Sequence, residues 1–296
     1  MQLGRALRGS SEADRIAGDG AVLGAARAIA YPVAGVVAFL AIWWAWIELF
    51  VEPDTLLAAF APDRGVEALW HLLQGGRIYE HAGASVKRIV IGVTIAAAVG
   101  VPLGLALGGV RWFSLTAGPV AGFIRVISPL SWTPLAIILF GVGDRPVYFL
   151  VAIGAVWPIA LSTAAGVASL ERQWLVLGRS LGATRLELMR TIVWPGIRAD
   201  VLTGLRLGTG TGWLILVPAE MLGVDSGLGY FILDARDRFN YSEVVAAIIL
   251  IGVVGLVIDR LTGWAFTPRR RSRPVPAPQP EPGRIEVAAG VGDYRI

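Results

Sequence analysis

The feature that most constrains this sequence is its succession of long apolar stretches with few charges. A helix needs about 20 mostly apolar residues to cross the hydrocarbon core of a bilayer. Six stretches qualify: Val33–Val51, Ile89–Gly109, Val120–Gly141, Val147–Leu170, Val201–Val224 and Val244–Phe266. Only 16% of the 296 residues are charged, whereas a soluble domain has about 25%. The sequence therefore predicts an all-α polytopic membrane protein with six transmembrane helices.

The rarity of metal-binding and redox side chains excludes several function classes. The chain has no Cys and only two His, His71 and His81, which excludes a disulfide scaffold, a thiolate zinc site and an iron–sulfur centre. We expect neither a metal nor another cofactor. The net charge of +4 could indicate nucleic acid, but the basic residues lie mainly in short loops and tails between apolar stretches. That distribution is typical of membrane orientation, so nucleic acid is not an expected partner.

The distribution of Lys and Arg also predicts the topology. With six spans both termini lie on one side, and placing them in the cytoplasm puts 16 of the 26 basic residues there and seven outside. This agrees with the positive-inside rule, although Lys87 and Arg88 at the outer mouth of the second span run against it. The outer loop before that span is expected to contain one interfacial helix around Val66–Leu73.

Three regions follow from this topology. Residues 1–32 are expected to form a cytoplasmic N-terminal segment that precedes an uncleaved first span. Residues 33–267 form the transmembrane domain, with a core at 85–261. Residues 268–296, rich in Arg and Pro, form an extended and poorly ordered cytoplasmic tail. Binding of that tail to anionic membrane lipid is the functional alternative.

Glycine rows predict how the spans associate. Two rows occur at every fourth position, Gly100, Gly104 and Gly108 in the second span and Gly204, Gly208 and Gly212 in the fifth. Each row gives its helix a flat ridge, and small residues of this kind allow close helix packing in membranes. Sliding of these ridges during transport is a second interpretation, and the two are compatible.

Polar side chains inside the apolar stretches are the candidates for a translocation pathway. The third span contains Arg125, Ser128, Ser131, Trp132 and Thr133 beside two prolines, a set too polar to face lipid. Arg125 would attract an anion or extend to the headgroups.

The fifth span adds Trp213 and the acidic residue Glu220. Glu220 would either pair with a basic or polar group to fix helix packing, or take part in binding or gating.

The segment between the fourth and fifth spans predicts a docking element. Its first half has helical composition and ends at Gly182, a suitable helix C-cap. Thr184 and Glu187 form a T-x-x-E capping box that begins a second helix. Two short helices around a glycine turn are therefore expected to project from the membrane. The turn and second helix comprise Gly182, Ala183, Thr184, Arg185, Leu186, Glu187 and Leu188.

This loop resembles the signature of binding-protein-dependent ABC importer permeases, in which Glu-Ala-Ala, three residues, Gly, nine residues and I-x-L-P follow one another. Here Gly182 is followed after nine residues by Ile192-Val-Trp-Pro195, while residues 176–178 replace Glu-Ala-Ala and Trp replaces Leu. Further segments resemble the nitrate, sulfonate, taurine and bicarbonate branch. They are Pro129–Gly141, Trp213–Leu222, Gly227–Ile232 and Ile251–Asp259.

The resemblance implies a type I importer fold and a division of labour among several chains. Two permease copies would form the pathway, two cytoplasmic ATPases would dock on the Gly182 loops, and a periplasmic or lipid-anchored binding protein would deliver a small solute, expected to be an anion. The chain lacks the G-x-x-x-x-G-K-[ST] phosphate loop, so ATP hydrolysis is expected in the partner. The expected location is the bacterial inner membrane.

Two other function classes stay open. A secondary transporter would show repeated halves with broken helices and ion-coupling carboxylates, and the sequence has no convincing repeat. An intramembrane enzyme would need a cluster of catalytic groups, and only Ser128 and Ser131 offer nucleophiles. Transport that persists after inactivation of a partner ATPase would favour the secondary carrier.

Overall fold

The computed structural model describes residues 30–31, 34–35, 37–52, 55 and 60–266. The expected tail at 268–296 lies outside these residues, as does the expected N-terminal segment apart from residues 30 and 31. Within the described ranges the chain is helical and has no strand, which confirms the predicted all-α fold class.

The α-helices of the described residues are numbered α1 to α11 in chain order. Their bounds are Val37–Phe50, Pro62–Gly75, Arg77–Gly109, Arg111–Ile124, Thr133–Phe140, Asp144–Ala168, Arg172–Ser180, Arg185–Leu188, Trp194–Glu220, Leu228–Asp237 and Tyr241–Phe266. A 3₁₀ turn at Pro129–Trp132 precedes α5, and a wide π turn at Met189–Val193 joins α8 to α9. Helix α2 covers Val66–Leu73, where the sequence predicted a helix, and its interfacial position stays a prediction.

Helix α6 is the centre of the bundle, because both predicted glycine rows pack against it. A Cβ at Gly108 of α3 would lie 2.6 Å from the carbonyl oxygen of Ala164, and one at Gly208 of α9 would lie 3.0 Å from that of Ala155. The backbones of α3 and α9 therefore approach α6 closely on both sides, with side chains of α6 such as that of Ile159 packed against the glycines. This confirms the packing interpretation of the two rows.

The predicted third span is broken. Helix α4 and the Pro129–Phe140 segment form a pair bent by 88°. Ser128 has an extended conformation with ψ of 129°, the conformation that a following proline favours, and Pro129 has no N–H to continue the helix. The proline-rich segment singled out in the sequence thus produces a sharp turn in place of one straight helix.

The number of spans is only partly settled by the described residues. Three helices are long and apolar enough to cross a membrane, α3, α6 and α11, and the bent pair would make a fourth. The predicted fifth span lies mostly in α9, which is rich in Gly and Thr. The predicted first span corresponds to α1, an apolar helix of shorter length. Six spans stay a prediction.

Candidate functional site

The α7–α8 hairpin, residues 171–188, has the turn that the sequence predicts. Gly182 adopts a left-handed conformation with φ of +83°, and its N–H donates to the carbonyl oxygen of Arg179. The Thr184 N–H donates to the Glu187 carboxylate at 2.7 Å, and the Glu187 N–H donates to the Thr184 hydroxyl at 3.3 Å. The capping box is therefore complete. The Thr184 N–H, followed by its hydroxyl, lowers the pKa of the Glu187 carboxyl below its ordinary value.

The hairpin exposes its apolar side chains to an unusual degree. Leu181 is 79% exposed and Leu186 is 59% exposed, and Trp174 and Leu177 are also exposed. Leu188 is the buried member of the second helix, and a Cβ on Gly178 would lie 2.5 Å from its side chain. The remaining predicted docking residues surround the turn, with Ala183 half-buried and Arg185 exposed. The hairpin is thus internally fixed by Leu188 and the capping box while its apolar surface is left uncovered.

The predicted pathway residues of the third span separate at the break. Arg125 caps the end of α4 and is exposed, and Ser128 and Ser131 are exposed beside it. Thr133 is buried and its hydroxyl donates to the carbonyl oxygen of Leu130 at 2.6 Å. Trp132 is half-buried against the core that surrounds α6. An arginine and two hydroxyls therefore share an exposed turn, while the Thr133 hydroxyl is used within the chain.

Trp213 and Glu220 are buried inside the bundle. Trp213 is buried, and its indole occupies the place where a Cβ on Gly255 would lie, so it joins α9 to α11. Glu220 is completely buried at the end of α9. Its carboxylate accepts hydrogen bonds from the Arg88 guanidinium at 2.9 Å and from the Gly229 N–H at 3.0 Å. This is the contact that the packing interpretation of Glu220 predicts.

Glu220 belongs to a polar group that we call the Arg88 cluster, comprising Ser85, Arg88, Asp144, Glu220 and Ser226. Its centre is buried, whereas Asp144 and Ser226 at its edge are half-buried. The Arg88 guanidinium donates to Asp144 Oδ1 at 2.6 Å and to the Ser226 carbonyl oxygen at 2.7 Å. The Ser85 hydroxyl donates to Glu220 at 2.8 Å and accepts the Leu228 N–H at 2.9 Å. The cluster therefore joins α3, α6, α9 and the loop before α10.

The charges of the Arg88 cluster are balanced. Arg88 has a side chain only 2% exposed and faces two carboxylates, and Lys87 lies 3.9 Å from the second oxygen of Asp144. A buried ion pair is stable only when its remaining polar atoms are also hydrogen-bonded. Among the described residues no buried side-chain nitrogen or oxygen lacks a partner. The cluster thus meets that condition, and it fixes the α9–α10 loop in place.

Arg88 was not among the predicted site residues, because it lies just before the apolar stretch that begins at Ile89. Helix α3 begins at Arg77, so Arg88 lies three turns inside a helix. The available signal was a lone buried acid, Glu220, that required a basic partner. Arg88 and Glu220 are 132 residues apart, and the sequence alone gives no way to choose among the candidate arginines.

Comparisons with known proteins agree with this architecture. Residues 100–271 match the family described as binding-protein-dependent transport system inner membrane component. The bicarbonate transport system permease protein CmpB of Synechococcus elongatus is 33% identical over 248 residues, covering 80% of this chain and 87% of the relative. The nitrate import permease protein NrtB of Leptolyngbya laminosa is 31% identical, covering 83% and 89%. The taurine transport system permease protein TauC of Escherichia coli K12 is 28% identical, covering 80% and 90%.

A solved structure supports the fold. A chain of the MetNI methionine ABC transporter in inward-facing conformations superposes with a TM-score of 0.53 at 16% identity, covering 64% of this chain and 96% of that chain. The relatives confirm the branch that the sequence motifs indicated, and the apolar helices agree with an inner-membrane protein that crosses the bilayer several times. The chain belongs to the family of binding-protein-dependent transport system inner membrane components.

Proposed function

We propose that this chain is the permease subunit of an ATP-driven importer and forms the translocation pathway for a small anion. A binding protein would deliver the solute to the outer face, and a cytoplasmic ATPase would dock on the α7–α8 hairpin. Both termini would lie in the cytoplasm, with the domain boundaries and the extended cytoplasmic tail predicted above. The observation that carries the proposal is family membership combined with a rigid hairpin whose apolar surface is uncovered.

The geometry of the hairpin supports a docking role. Gly182 and the capping box fix its backbone, while Leu181 and Leu186 project outward and gain nothing from burial within the chain. An exposed apolar patch on a rigid element is typical of a protein-interaction site. The glutamate of the family motif is replaced by Val176, so contact would depend on apolar surface more than on charge.

Assembly with a second copy of the chain is supported by apolar side chains on the bent pair and on α9. Val126, Ile138 and Leu214 are each more than three-quarters exposed, and they require lipid or another protein chain as cover. The exposed Arg125, Ser128 and Ser131 beside them are polar, so lipid would be a poor environment for that turn. A homodimer whose two copies face each other across these residues would give them a polar pathway.

Purification of the tagged chain from its own host tests the docking proposal. We expect a stoichiometric partner with a phosphate-binding loop, and we expect Leu186→Asp to lose that partner while the permease still folds. Gln173→Glu is the matched control, because it adds one negative charge to the same hairpin without removing exposed apolar surface. Recovery of the chain alone, with uptake intact, would overturn the ATP-driven proposal.

Uptake measurements test the solute class and the alternative mechanism. A deletion strain should lose accumulation of at least one of labelled nitrate, bicarbonate, taurine or an alkanesulfonate, and the wild-type chain should restore it. Replacement of the phosphate-loop lysine in the partner ATPase should abolish that uptake. Uptake that survives this replacement would identify a secondary transporter independent of ATP.

A further inference from the structure

A second ion pair joins two helices within the predicted spans, and no role described above uses it. The guanidinium of Arg206 in α9 lies 3.3 Å and 3.4 Å from the two carboxylate oxygens of Asp259 in α11. Arg206 is 14 residues before Glu220, about 21 Å along the helix. The pair is therefore well separated from the Arg88 cluster.

The exposure of this pair distinguishes it from a buried structural bridge. The side chains of Arg206 and Asp259 are 45% and 55% exposed, and the distances exceed the 2.7–2.9 Å typical of a strong charged hydrogen bond. A long, half-exposed bridge contributes little to stability. Contact of both charges with lipid would be costly, and charged groups in membrane helices usually face the bundle interior or a water-filled cavity. The exposure of this pair excludes the closed interior of the chain. The pair fits the wall of an aqueous pathway.

The surface beside Arg206 is also suited to a solute. Thr203 and Gly210 lie three and four residues away on the same face of α9, and both are exposed. A Cβ on Gly210 would meet no atom within 4 Å. The Thr203 hydroxyl donates to the Ala199 carbonyl oxygen at 2.9 Å, so the donors that this open surface offers to a solute are those of the Arg206 guanidinium. A guanidinium presents several N–H donors that match the oxygens of an oxyanion.

We propose that Arg206 binds a small oxyanion in transit, and that the Asp259 carboxylate competes with this anion for the Arg206 guanidinium. This inference rests on the proposed function as an anion permease. An unpaired arginine in a low-dielectric pathway would hold an anion too tightly, whereas conduction requires a site weak enough to release it. The Asp259 carboxylate offers Arg206 an alternative partner. The arriving solute replaces Asp259 at the guanidinium, and Asp259 displaces the solute when it leaves.

Transport kinetics of the complete importer in proteoliposomes test the proposal. The probe is whichever of labelled nitrate, bicarbonate or taurine the wild type accumulates. We expect Arg206→Gln to reduce uptake at low probe concentration about tenfold or more, through loss of a charged hydrogen bond. Asp259→Asn should act in the opposite direction on affinity, lowering KM several-fold while slowing turnover. Arg260→Gln, next to Asp259 and also exposed, is the matched control and should leave uptake within about twofold.

The double variant Arg206→Gln/Asp259→Asn separates an anion site from a purely structural bridge. A structural bridge predicts that both single variants lose function together and that the neutral double variant recovers it. An anion site predicts single variants with opposite effects on KM and a double variant as impaired as Arg206→Gln. Recovery in the double variant, or single variants indistinguishable from wild type, overturns the inference while leaving the ATP-driven permease intact. A wild type that accumulates no anion overturns the proposed function and this inference together.

A chemical readout independent of transport is available because the chain has no native cysteine. Thr203→Cys places a thiol one turn from Arg206 in the full-length chain in nanodiscs. Its reaction rates with an anionic and a cationic methanethiosulfonate reagent report the local potential. We expect Arg206→Gln to lower the anionic-to-cationic rate ratio several-fold and Asp259→Asn to raise it. Equal ratios in all three backgrounds would contradict an anion-attracting site.

Discussion

The Arg88 cluster and the α7–α8 hairpin are both held by side-chain hydrogen bonds, but these hydrogen bonds serve opposite purposes. In the cluster, buried charges are satisfied by four segments of the same chain. In the hairpin, the capping box holds the backbone so that Leu181 and Leu186 stay exposed. One region is complete within the chain, whereas the other leaves an uncovered apolar surface that the proposed function assigns to a partner. Substitutions in the cluster should therefore affect folding, and substitutions in the hairpin should affect assembly.

The largest effect is expected from Arg88→Ala. It leaves Glu220 buried without its cationic partner, and loss of one member of a buried ion pair costs about 3–5 kcal/mol of unfolding free energy. Thermal unfolding of the purified chain in detergent measures this loss. Arg77→Ala, an exposed arginine at the start of the same helix, is the control and should change stability by less than about 0.5 kcal/mol. Equal stability of the two variants would show that the cluster is not the anchor described.

A smaller loss is expected from Ser85→Ala. The substitution removes the hydroxyl that donates to Glu220 and accepts from the Leu228 N–H. An unsatisfied buried group costs about 1–3 kcal/mol, so the unfolding midpoint should fall between those of wild type and Arg88→Ala. Ser114→Ala removes an exposed hydroxyl from α4 and should leave the midpoint unchanged.

The same type of change in the hairpin should have a local effect. Thr184→Ala removes the hydroxyl that accepts the Glu187 N–H in the capping box. The loss of such an N-cap side chain costs about 1 kcal/mol of helix stability. We expect faster hydrogen exchange at residues 185–188 and a weaker interaction with the ATPase, without a change in the unfolding midpoint of the bundle. A lower unfolding midpoint of the whole bundle would contradict the separation of a folding region from an assembly region.

The smallest effect is a pH dependence of the hairpin. Hydrogen bonds from Thr184 lower the pKa of Glu187 below its ordinary value of 4.5. A lowered pKa stabilises the folded hairpin above about pH 4.5, and this contribution is lost as the pH falls through the lowered value. Hydrogen exchange at residues 185–188, corrected for intrinsic rates, should therefore accelerate below pH 4.5. Glu187→Gln cannot titrate at this position and should lack that acceleration.

The features predicted correctly from sequence depend on residues close together in the chain. The local signals are Gly182, the Thr184–Glu187 capping box and the two glycine rows at four-residue spacing. Helix capping and helix faces are decided within about one turn. The all-α class followed from the apolar stretches. These signals required no knowledge of which helices are neighbours.

The features that were missed depend on how distant segments meet. The pairing of Arg88 with Glu220 was not predicted, because the two residues lie on different helices. The Arg206–Asp259 pair was not predicted for the same reason. The bend at Ser128–Pro129 was signalled by proline, but its angle of 88° is set by the packing of the two segments. Pairing and angle both emerge only from the three-dimensional arrangement.

Helix α9 connects the α7–α8 hairpin with the Arg88 cluster. It is continuous for 27 residues from Trp194, beside the hairpin, to Glu220 in the Arg88 cluster, and backbone contact at Gly204 and Gly208 binds it to α6. Such a helix acts as a lever about 40 Å long, in which a tilt of about 5° displaces the far end by about 3.5 Å. The wide π turn at Met189–Val193 joins this helix to the α7–α8 hairpin. A small displacement of the hairpin would thus move α6 and α9 together at the end that carries Glu220. Little of that displacement would be absorbed by rearrangement of side chains between the two helices.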